Sequence, residues 1–431
     1  MNIIHLINKK QNNLELSEAD FDFFVKNSLS GDIKEYQIAS FLMLIWCSGL
    51  SEKETFFLTK AMVNNGEIIN YQNINHPIID KHSTGGIGDK VSLIIVPLLA
   101  SCGLIFAKMS GRGLGYTGGT IDKLESVGIQ TELTSSQYID ILKKCNMFII
   151  SQSKEIAPSD KIFYAIRDTT GTVNNLSLIA SSIMSKKIAT NTDKIYLDVK
   201  VGNGSFFKDL DEAKKFAKLC INIGGFFNKK VMIHLTNMDK PLGRSIGNMI
   251  EVREAINFLN GKFESEELKE LIYDFAIDIL IENNICKNKE ESIRMLDHKI
   301  SSKMAYIKFK EWAKLQKSDF DFDSINKIYN PKYKYEIFAI KDGYVDFKSN
   351  KEFGYKLVDL KAGRLNKEDK LDFYSGIYLN KVFNEFVKKG ELVFTVYCSN
   401  PVDQKILDSL QDNIIYNQKK QIKIPNIIGV M

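Results

Sequence analysis

Two glycine-rich segments constrain this chain more than any other feature. They are Asp80–Ser92, with the sequence DKHSTGGIGDKVS, and Lys108–Lys123, with the sequence KMSGRGLGYTGGTIDK. Each combines glycines with hydroxyl and lysine side chains and precedes a helix-like stretch. Such a loop can direct backbone N–H groups at an oxyanion while hydroxyls and lysines add donors and charge. A tight turn is a sufficient explanation for one such loop, but two similar loops predict an enclosed anion site.

Two common phosphate-binding motifs are tested against these loops. Gly113, Gly115 and Gly118 match the GxGxxG dinucleotide pattern, and Glu132 follows at a suitable distance. However, no clear strand runs directly into Gly113, and Arg112 with the nearby threonines suits a small anion better. The first loop lacks the GK[ST] ending of a P-loop. We therefore expect neither a dinucleotide-binding protein nor a nucleoside triphosphatase.

Charge and cysteine usage limit the class of partner. Lysine and arginine number 58 against 53 aspartates and glutamates, which is too even to predict a surface for nucleic acid. The six cysteines form no CxxC pair, as is typical of reduced thiols. The N-terminus lacks a signal-peptide pattern, and the longest apolar run, Val91–Cys102, is too short to span a bilayer. We therefore expect a cytoplasmic protein without nucleic-acid or membrane partners.

The N-terminal part predicts a small all-α lobe. A chain of 431 residues exceeds one compact core, so several domains are expected. Helix-start signals at Ser17 and Ser51 precede apolar-periodic stretches, and Asp32 opens a third helical run, which predicts three short helices over residues 1–66. Residues 161–192, strongly helical over Leu176–Lys187, are predicted to return to this lobe.

Strand-like and helix-like stretches then alternate, which predicts an α/β domain with a central mixed sheet over residues 78–155 and 193–316. Its strand-like runs are Leu104–Ala107, Met147–Ile150, Ile195–Val201 and Val231–Leu235. A β-rich α+β domain is predicted over residues 333–431. Its strand-like runs are Tyr335–Phe347, Gly354–Leu360, Gly376–Leu379 and Glu391–Cys398. The predicted fold class is α/β, with an all-α lobe and a C-terminal α+β domain.

Four strings carry a resemblance to a known family. They are DKHSTGGIGD at Asp80–Asp89, KMSGRGLGYTGGTIDKLES at Lys108–Ser126, FYAIRD at Phe163–Asp168 and IASSIMSKK at Ile179–Lys187. In this order and spacing they resemble the thymidine phosphorylase and pyrimidine-nucleoside phosphorylase family, with weaker similarity from Ile4 to the GRLNKED segment at Gly363–Asp369. The resemblance implies phosphorolysis of uridine, thymidine and deoxyuridine by a homodimer that associates through the α lobe. Inorganic phosphate would be the co-substrate, and no organic cofactor is expected.

The resemblance also implies which residues bind each substrate. The phosphate-binding positions correspond to Lys81, Ser83, Ser92, Lys108, Ser110 and Thr120. The positions that contact the base or nucleoside correspond to Leu114, Tyr164, Arg167, Ser182 and Lys186. Leu114 and Tyr164 also suit ordinary packing. Ser182 and Lys186 share one face of a predicted helix, and Arg167 would reach them from the preceding loop. Arg167 and Lys186 are catalytic candidates, since cations there would stabilise negative charge on the departing base.

Three further residues bear on chemistry and selectivity. His82 is the third catalytic candidate, because its imidazole can donate a proton or hydrogen bond to the leaving base; ordering the loop is the alternative. Thymidine-restricted members of the family usually carry methionine at the position of Lys108, whereas broad-specificity members carry lysine. We therefore expect activity on uridine as well as thymidine. Tyr116 stands where relatives often have histidine, which would alter the base pocket.

Broad-specificity relatives imply a potassium ion behind the first loop. Its ligands correspond to Gly88, residue 90, Leu242, Ser245 and Glu254. Residue 90 is usually a small hydroxyl amino acid in these relatives, but here it is Lys90. An ammonium directed at Glu254 would take the place of potassium, because one compact cation can replace another where the donors fit. A Lys90 side chain that points into solvent is the alternative.

Two other functions compete with phosphorolysis. A phosphoribosyltransferase of similar fold, such as the anthranilate-using type, would need magnesium and acidic ligands for pyrophosphate, and the KHSTGG and SSIMSKK strings do not fit it. The C-terminal segments around Gly343 and VKKGELVFTVY resemble the barrel of biotin- or lipoate-carrying domains. A carrier needs a modifiable lysine at a hairpin tip, typically beside methionine, and none is evident.

Overall fold

The computed structural model describes residues 2–431 except 72, 73, 75, 76, 114, 117, 154 and 365–368. The helices among the described residues are α1 (Ile3–Gln11), α2 (Glu18–Ser30), α3 (Glu35–Ser48), α4 (Glu52–Asn64), α5 (Val91–Ser101), α6 (Thr120–Glu125), α7 (Ser135–Cys145), α8 (Pro158–Thr170), α9 (Leu176–Ala189), α10 (Leu210–Phe226), α11 (Met249–Leu259), α12 (Glu266–Glu282), α13 (Lys289–Ser301), α14 (Met304–Leu315), α15 (Ile325–Ile328), α16 (Asn350–Asp359) and α17 (Gln404–Asp412), with a 3-10 turn at Phe322–Ser324. The strands are β1 (Ile78–Ser83), β2 (Ile105–Ser110), β3 (Met147–Ser151), β4 (Lys194–Val201), β5 (Lys230–Asn237), β6 (Ser245–Gly247), β7 (Tyr333–Phe338), β8 (Gly343–Phe347), β9 (Gly376–Leu379), β10 (Phe386–Val387), β11 (Leu392–Cys398), β12 (Ile414–Asn417) and β13 (Ile427–Val430). None of these helices is long and apolar enough to cross a membrane.

The all-α lobe contains α1 to α4 together with α8 and α9. Ser17 and Ser51 each cap the following helix through a reciprocal hydrogen-bond pair with the acidic residue three positions later, as their start signals predict. Phe24 of α2 stacks on Phe163 of α8 with ring centroids 4.9 Å apart, and both rings are buried in the core of the lobe. The segment that carries α8 and α9 therefore packs against the N-terminal helices.

The central sheet has the strand order β13-β5-β4-β1-β2-β3. Strands β1 to β5 pair in parallel, and β13 pairs antiparallel with β5, so the sheet is mixed as predicted. One apolar cluster packs α5, α7 and α11 to α14 against β1 to β3, and a second packs α9 and α10 against β4 and β5. Helices thus cover the sheet in two groups, as parallel strands with helical crossovers require.

Two strands cross the boundary predicted for the C-terminal domain. That domain holds two small sheets, with the orders β10-β8-β12 and β6-β9-β11-β7. Strand β6, which lies in the α/β segment, pairs with β9 of the C-terminal domain. Strand β13, in the last residues of the range 333–431, pairs instead with β5 of the central sheet. The end of the chain therefore belongs to the α/β domain, and the two domains share strands.

The predicted strand at Gly354–Leu360 is wrong, because this segment forms most of α16. Tyr355 and Leu357 flank a lysine, so the segment resembles an alternating strand over a short window. Burial follows the helical period instead: Phe353 and Leu357 are four residues apart, and both lie in the apolar core of the C-terminal domain.

The two glycine-rich loops follow the carboxyl ends of neighbouring parallel strands. Strand β1 ends at Ser83 and β2 ends at Ser110, and each runs directly into a loop. Strand β2 ends three residues before Gly113, so a strand leads into the second loop but does not run directly into Gly113. Ligands of α/β proteins bind at this edge of a sheet, so the fold brings both loops to one place.

Candidate active site

A cavity of about 660 Å³ lies between the two glycine-rich loops and the helices α8 and α9. Its walls contain most of the side chains expected to bind substrate, namely His82, Ser83, Ser92, Lys108, Ser110, Thr120, Tyr164, Arg167, Ser182 and Lys186. Lys81 does not line the cavity, and Leu114 lies outside the described residues. The cavity therefore brings together residues from distant parts of the chain.

Hydrogen bonds within the first loop hold its shape. The hydroxyl of Ser83 donates to the Asp89 carboxylate and accepts from the backbone N–H of Gly85 at 3.2 Å. Gly85 and Gly88 have φ values of 89° and 73°, a region that favours glycine. Burial raises the pKa of Asp89, but three neighbouring lysines outweigh it and hold this pKa well below its usual range. Asp89 is therefore an anion that fixes the Ser83 hydroxyl.

Lys81 is expected to bind phosphate, but its ammonium is buried behind the cavity. Successive side chains of a strand point to opposite faces, so Lys81 and His82 lie on different faces of β1. The Lys81 Nζ donates to Asp198 Oδ2 at 2.9 Å, and the Lys200 Nζ lies 2.8 Å from the same oxygen. In this structure Lys81 thus pairs with a buried carboxylate and does not reach the cavity.

Asp122, in the first turn of α6, anchors the second loop. Its Oδ2 accepts from the backbone N–H of Gly113 at 2.6 Å, and its Oδ1 accepts from Arg364 Nη1 at 2.6 Å. Gly119 lies so close to Gly113 that an added Cβ would meet the Gly113 nitrogen at 2.0 Å. Only glycine fits at this position, and the loop is folded tightly on its anchor.

Lys123, in α6 at the end of the second loop, links the two loops through its ammonium group. Its Nζ donates to the Asp89 carbonyl at 2.7 Å and lies 2.7 Å from Glu251 Oε2 of α11. Arg112, at the start of the second loop, forms a bidentate pair with Glu125, which raises the pKa of this arginine. These charges hold the loops to each other and to the adjacent helices.

His82 is surrounded by ammonium groups. Burial and four neighbouring lysines hold the pKa of its imidazole well below the usual value. In order of effect, these lysines are Lys187, Lys108, Lys186 and Lys81. The ring is therefore neutral at physiological pH, with one N–H donor and one acceptor nitrogen. The ring lines the cavity, so it can contact a molecule that binds there.

Lys108 and Lys187 differ in how their charge is held. The Lys108 Nζ donates to the backbone carbonyl of Lys81, and burial followed by repulsion from Lys187 lowers its pKa to about 7. The Lys187 Nζ donates to Asp80 Oδ2 and to the Met109 carbonyl, both at 2.7 Å. Lys187 is thus paired with a carboxylate, whereas Lys108 loses its charge near neutral pH.

The opposite wall is formed by α8 and α9. The Lys186 Nζ pairs with Asp160 and donates to the Ser182 hydroxyl at 3.1 Å, so Ser182 and Lys186 share a helix face as predicted. Arg167 lies within α8 and not in a loop. It donates to two backbone carbonyls just after that helix and to the Leu178 carbonyl of α9, at 2.6–3.2 Å. Burial lowers the pKa of Arg167. Tyr164, on the same helix, also lines the cavity.

Some cavity residues have no role in the sequence analysis. Arg364 of the C-terminal domain lines the cavity and pairs with Asp122. Asp160 supplies the buried counter-ion at the α8–α9 wall, and Phe206 and Phe207 add apolar surface. Arg364 lies in the GRLNKED segment, and the resemblance of that segment to the family was the one sequence signal that could have indicated a role for this arginine. A contact between residues 242 positions apart has no local pattern.

Tyr116 is expected to alter the base pocket, but it does not line the cavity. Its hydroxyl donates to the Ser205 carbonyl at 3.0 Å, and its ring packs on Tyr355 of α16 with centroids 5.5 Å apart. Burial raises its pKa to about 12. Tyr116 therefore joins the second loop to the C-terminal domain.

The residues that correspond to potassium ligands lie together, behind the first loop and outside the cavity wall. The ammonium of Lys90 lies at their centre, in contact with the carbonyls of Leu242 and Ser245 and with Glu254. Gly88 packs against the same carbonyls, because an added Cβ would meet the Leu242 oxygen at 2.6 Å. Lys90 is fully buried, so it does not point into solvent. Potassium does not fit these residues while the lysine fills their centre.

Three family models match the chain in the order of its domains. Residues 4–66 match the helical bundle domain of the glycosyl transferase family, and residues 75–306 match the α/β domain of that family. Residues 344–417 match the pyrimidine nucleoside phosphorylase C-terminal domain. These ranges follow the all-α lobe, the α/β domain and the β-rich domain of the structure.

Two curated relatives align over nearly the whole chain. A protein named thymidine phosphorylase from Mycoplasma genitalium is 44% identical over 97% of this chain and 100% of its own length. A protein named pyrimidine-nucleoside phosphorylase from Staphylococcus haemolyticus is 40% identical over 96% of both chains. Among solved structures, anthranilate phosphoribosyltransferase from Thermus thermophilus matches with a TM-score of 0.57. That match has 14% identity over 72% of this chain and 98% of the other, so it shows the fold alone.

Proposed function

Because this chain belongs to the thymidine phosphorylase and pyrimidine-nucleoside phosphorylase family, we propose that it cleaves pyrimidine nucleosides with inorganic phosphate. The products are the free base and ribose 1-phosphate or deoxyribose 1-phosphate. The observation that carries this proposal is the single cavity with two glycine-rich loops on one side and the α8–α9 wall on the other. Such a cavity can hold phosphate and nucleoside side by side, which is the main requirement of a direct displacement.

Phosphate is proposed to bind between the loops. The hydroxyls that face the cavity there belong to Ser83, Ser92, Ser110 and Thr120. Ser92 lies in the first turn of α5, where the helix dipole favours an anion. Lys108 and Arg364 add positive charge to the same region. These groups together would neutralise a phosphate and hold one oxygen against the sugar.

The base is proposed to bind at the α8–α9 wall. In the reaction, a phosphate oxygen bonds to C1′ of the sugar while the bond from C1′ to the base nitrogen breaks and leaves its electron pair on the base. Arg167 and Lys186 would stabilise that charge as it develops, and Ser182 would orient a base carbonyl. Asp160 pairs with the Lys186 ammonium and so holds it at this wall.

His82 is proposed to act as a neutral hydrogen-bond donor to the base. Its depressed pKa keeps the imidazole neutral near pH 7, which argues against an imidazolium acid in the free enzyme. An N–H directed at a base carbonyl would still favour the charge that forms as the bond breaks. The position of His82 in the cavity wall supports substrate contact over an ordering role for the loop.

Lys108 is proposed to admit ribose as well as deoxyribose, so that uridine, thymidine and deoxyuridine are all substrates. Its ammonium lies in the cavity wall next to the loops, where it could donate to a 2′-hydroxyl. The variant Lys108→Met should lose more kcat/KM on uridine than on thymidine. Equal losses on both nucleosides would remove this explanation of breadth.

Product analysis tests the proposed reaction. Uridine, thymidine and cytidine are each incubated with the enzyme, with and without inorganic phosphate, and bases and sugar phosphates are separated by chromatography. We expect uracil and thymine release only with phosphate, in equal amounts with a sugar 1-phosphate. A parallel incubation with magnesium, 5-phosphoribosyl 1-pyrophosphate and a base tests the transferase alternative, in which pyrophosphate would leave as the base bonds to the sugar. Base release without phosphate, or turnover only in the parallel incubation, would overturn the proposal.

We further propose that two copies associate through the α lobe. Tyr36, Met43 and Trp46 are exposed on α3, and Ile4 is exposed on the adjacent α1. Exposed apolar side chains at this density are typical of an interface. Sedimentation should give about twice the chain mass of 49.1 kDa for the wild type. The double change Tyr36→Glu and Trp46→Glu should give a monomer, whereas Ile422→Glu, at another exposed position, should not.

We also infer that the enzyme works in a reducing cytoplasm. All six cysteines are free thiols, and four of them are buried. Free thiols at this number are typical of cytoplasmic proteins. Thiol titration of unfolded protein purified without reductant should recover six groups. Fewer groups, with disulfides found by peptide mapping, would contradict this inference.

A further inference from the structure

Lys90, the last residue before α5, ends in a shell of oxygen atoms. Its Nζ lies 2.6 Å from the Leu242 carbonyl, 2.9 Å from the Ser245 carbonyl and 3.0 Å from Glu254 Oε2. The side chain is fully buried, and Glu254 is nearly so. An ammonium carries three N–H donors, so three oxygens satisfy it completely. A buried cation is stable only with such pairing.

The shell is held in place by contacts that do not involve the lysine. Glu254 Oε1 accepts from the backbone N–H of Arg244 at 2.9 Å, and Oε2 accepts from that of Ser245 at 2.8 Å. An added Cβ at Gly243 would meet Glu254 Oε1 at 2.5 Å and the Lys90 Nζ at 2.8 Å. The oxygens therefore form a close-fitting site for one small cation, built by the backbone and by Glu254.

We propose that Lys90 is a built-in replacement for a monovalent cation, so that this enzyme needs no potassium. Two carbonyls and a carboxylate are hard oxygen donors of the kind that bind a free cation, and the ammonium is a compact point charge that can take its place. Lys90 is itself a residue of the first glycine-rich loop, so this cation cannot dissociate from the site. Its charge is present at every salt concentration, whereas a bound ion leaves when its concentration falls.

The position of Lys90 explains what the cation does. Its neighbour Asp89 holds the Ser83 hydroxyl at the cavity, and Lys90 fastens the same loop to the segment around Leu242. That segment leads into β6, which pairs with the C-terminal domain. Lys90 is therefore a positioning residue that braces the phosphate loop against the rest of the molecule without contacting substrate.

The first test uses the wild-type enzyme. Thermal unfolding and kcat/KM for phosphate are measured in potassium chloride and in N-methylglucamine chloride at equal ionic strength. We expect both quantities to be unchanged, because no free site remains for an ion that would stabilise the native state. A clear fall in Tm or in kcat/KM without potassium would overturn the proposal. The Tm readout needs no substrate, so its outcome is separate from that of the proposed reaction.

The second test restores the ion site. The variant Lys90→Thr removes the ammonium and leaves a hydroxyl beside the oxygen shell, whereas Lys90→Met fills much of the same space with an uncharged chain. We expect both variants to have lower Tm and weaker phosphate binding in N-methylglucamine chloride. Potassium should raise the Tm and lower the KM for phosphate of Lys90→Thr only. An equal response of both variants, or none in Lys90→Thr, would contradict a cation site at this position.

Discussion

The lysines around His82 set the electrostatics of the cavity at the scale of single residues. Lys187 is neutralised by Asp80 and Lys186 by Asp160, which leaves Lys108 without a carboxylate partner. Burial and the neighbouring charge of Lys187 lower the pKa of Lys108 to about 7. An anion that enters the cavity would therefore stabilise the charged form of Lys108, because its attraction offsets both the cost of burial and the repulsion from Lys187.

The first prediction concerns the pH dependence of phosphate use. Because its pKa is lowered to about 7, Lys108 is charged below about pH 7 and neutral above it in the free enzyme. The pH dependence of kcat/KM reports the ionisation of groups in the free enzyme. We divide the kcat/KM for phosphate of the wild type by that of Lys108→Met. This ratio should fall roughly tenfold between pH 6 and 8.5, which corresponds to the loss of one charge-assisted hydrogen bond.

The ratio is used because the titration of phosphate itself cancels between the two enzymes. Both should be assayed with thymidine, the substrate that Lys108→Met is expected to retain. A ratio that stays constant across this range would show that Lys108 holds its charge throughout or that it does not assist phosphate.

Most of the site residues predicted from the sequence line the cavity, but Lys81 does not. The strings around both loops led to the hydroxyls, Arg167 and Lys186, all of which line the cavity. Adjacent strand residues point to opposite faces, so Lys81 and His82 cannot both face the cavity through the same strand. Which one turns inward depends on Asp198, a partner 117 residues away that no local pattern reveals.

At the scale of elements, α16 is the contact between the C-terminal domain and both glycine-rich loops. An added Cβ at Gly354 would meet the backbone oxygen of Tyr116 at 2.1 Å and the side chain of Ile87 at 2.8 Å. Asn350, at the start of this helix, donates to the Met238 carbonyl at 3.0 Å. The helix therefore packs on the loops through a position where no side chain fits.

Gly354→Ala should therefore loosen the loops. Helix propensity alone would favour alanine by about 0.5–1 kcal/mol, but the clash with the Tyr116 backbone outweighs this and should lower Tm and raise the KM for phosphate. Gly225→Ala is the matched control, because this helical glycine of α10 has no atom within 4 Å of an added Cβ. Gly225→Ala should be neutral or stabilising by thermal unfolding. A Gly354→Ala enzyme with unchanged Tm and KM would contradict the role of α16.

Element type could be predicted where the pattern was long and failed where it was short. Residues 176–189 and 194–201 match their predicted helix and strand within two residues at either end. The segment Gly354–Leu360 was too short to distinguish the helical period from the strand period. Its helical face is defined by the residues that pack into the apolar core of the C-terminal domain. Helix α1 was missed because a short, polar segment of this kind owes its helicity to packing on α3.

At the scale of the whole molecule, the C-terminal domain contributes to the wall of the candidate active site. Arg364 reaches the cavity and anchors Asp122, and strands β6 and β13 interlock the two domains. The sequence predicted no substrate-binding residue in this domain. Pairing between strands from distant segments cannot be predicted from local patterns, because such short strands are stable only when they pair with their neighbours in a sheet.

Arg364→Met should therefore weaken phosphate binding. Loss of the ion pair with Asp122 releases the second loop, and the cavity loses a positive charge. A charge-assisted hydrogen bond in such a setting corresponds to roughly a tenfold or larger rise in the KM for phosphate. The KM for uridine should change much less. Arg294→Met, at an exposed arginine of α13, is the control and should alter neither value. A rise confined to the nucleoside KM would assign Arg364 to the other side of the cavity.

The central claim is that one cavity holds phosphate at the loops and the base at α8 and α9, and a comparison of two serine variants tests it most directly. Initial rates are measured over a matrix of phosphate and uridine concentrations for the wild type, Ser110→Ala and Ser182→Ala. Ser110→Ala should raise the KM for phosphate by roughly tenfold with little change for uridine, and Ser182→Ala should do the reverse. If both variants raised the same KM, or if the two effects were exchanged, the assignment of the two sides of the cavity would be wrong.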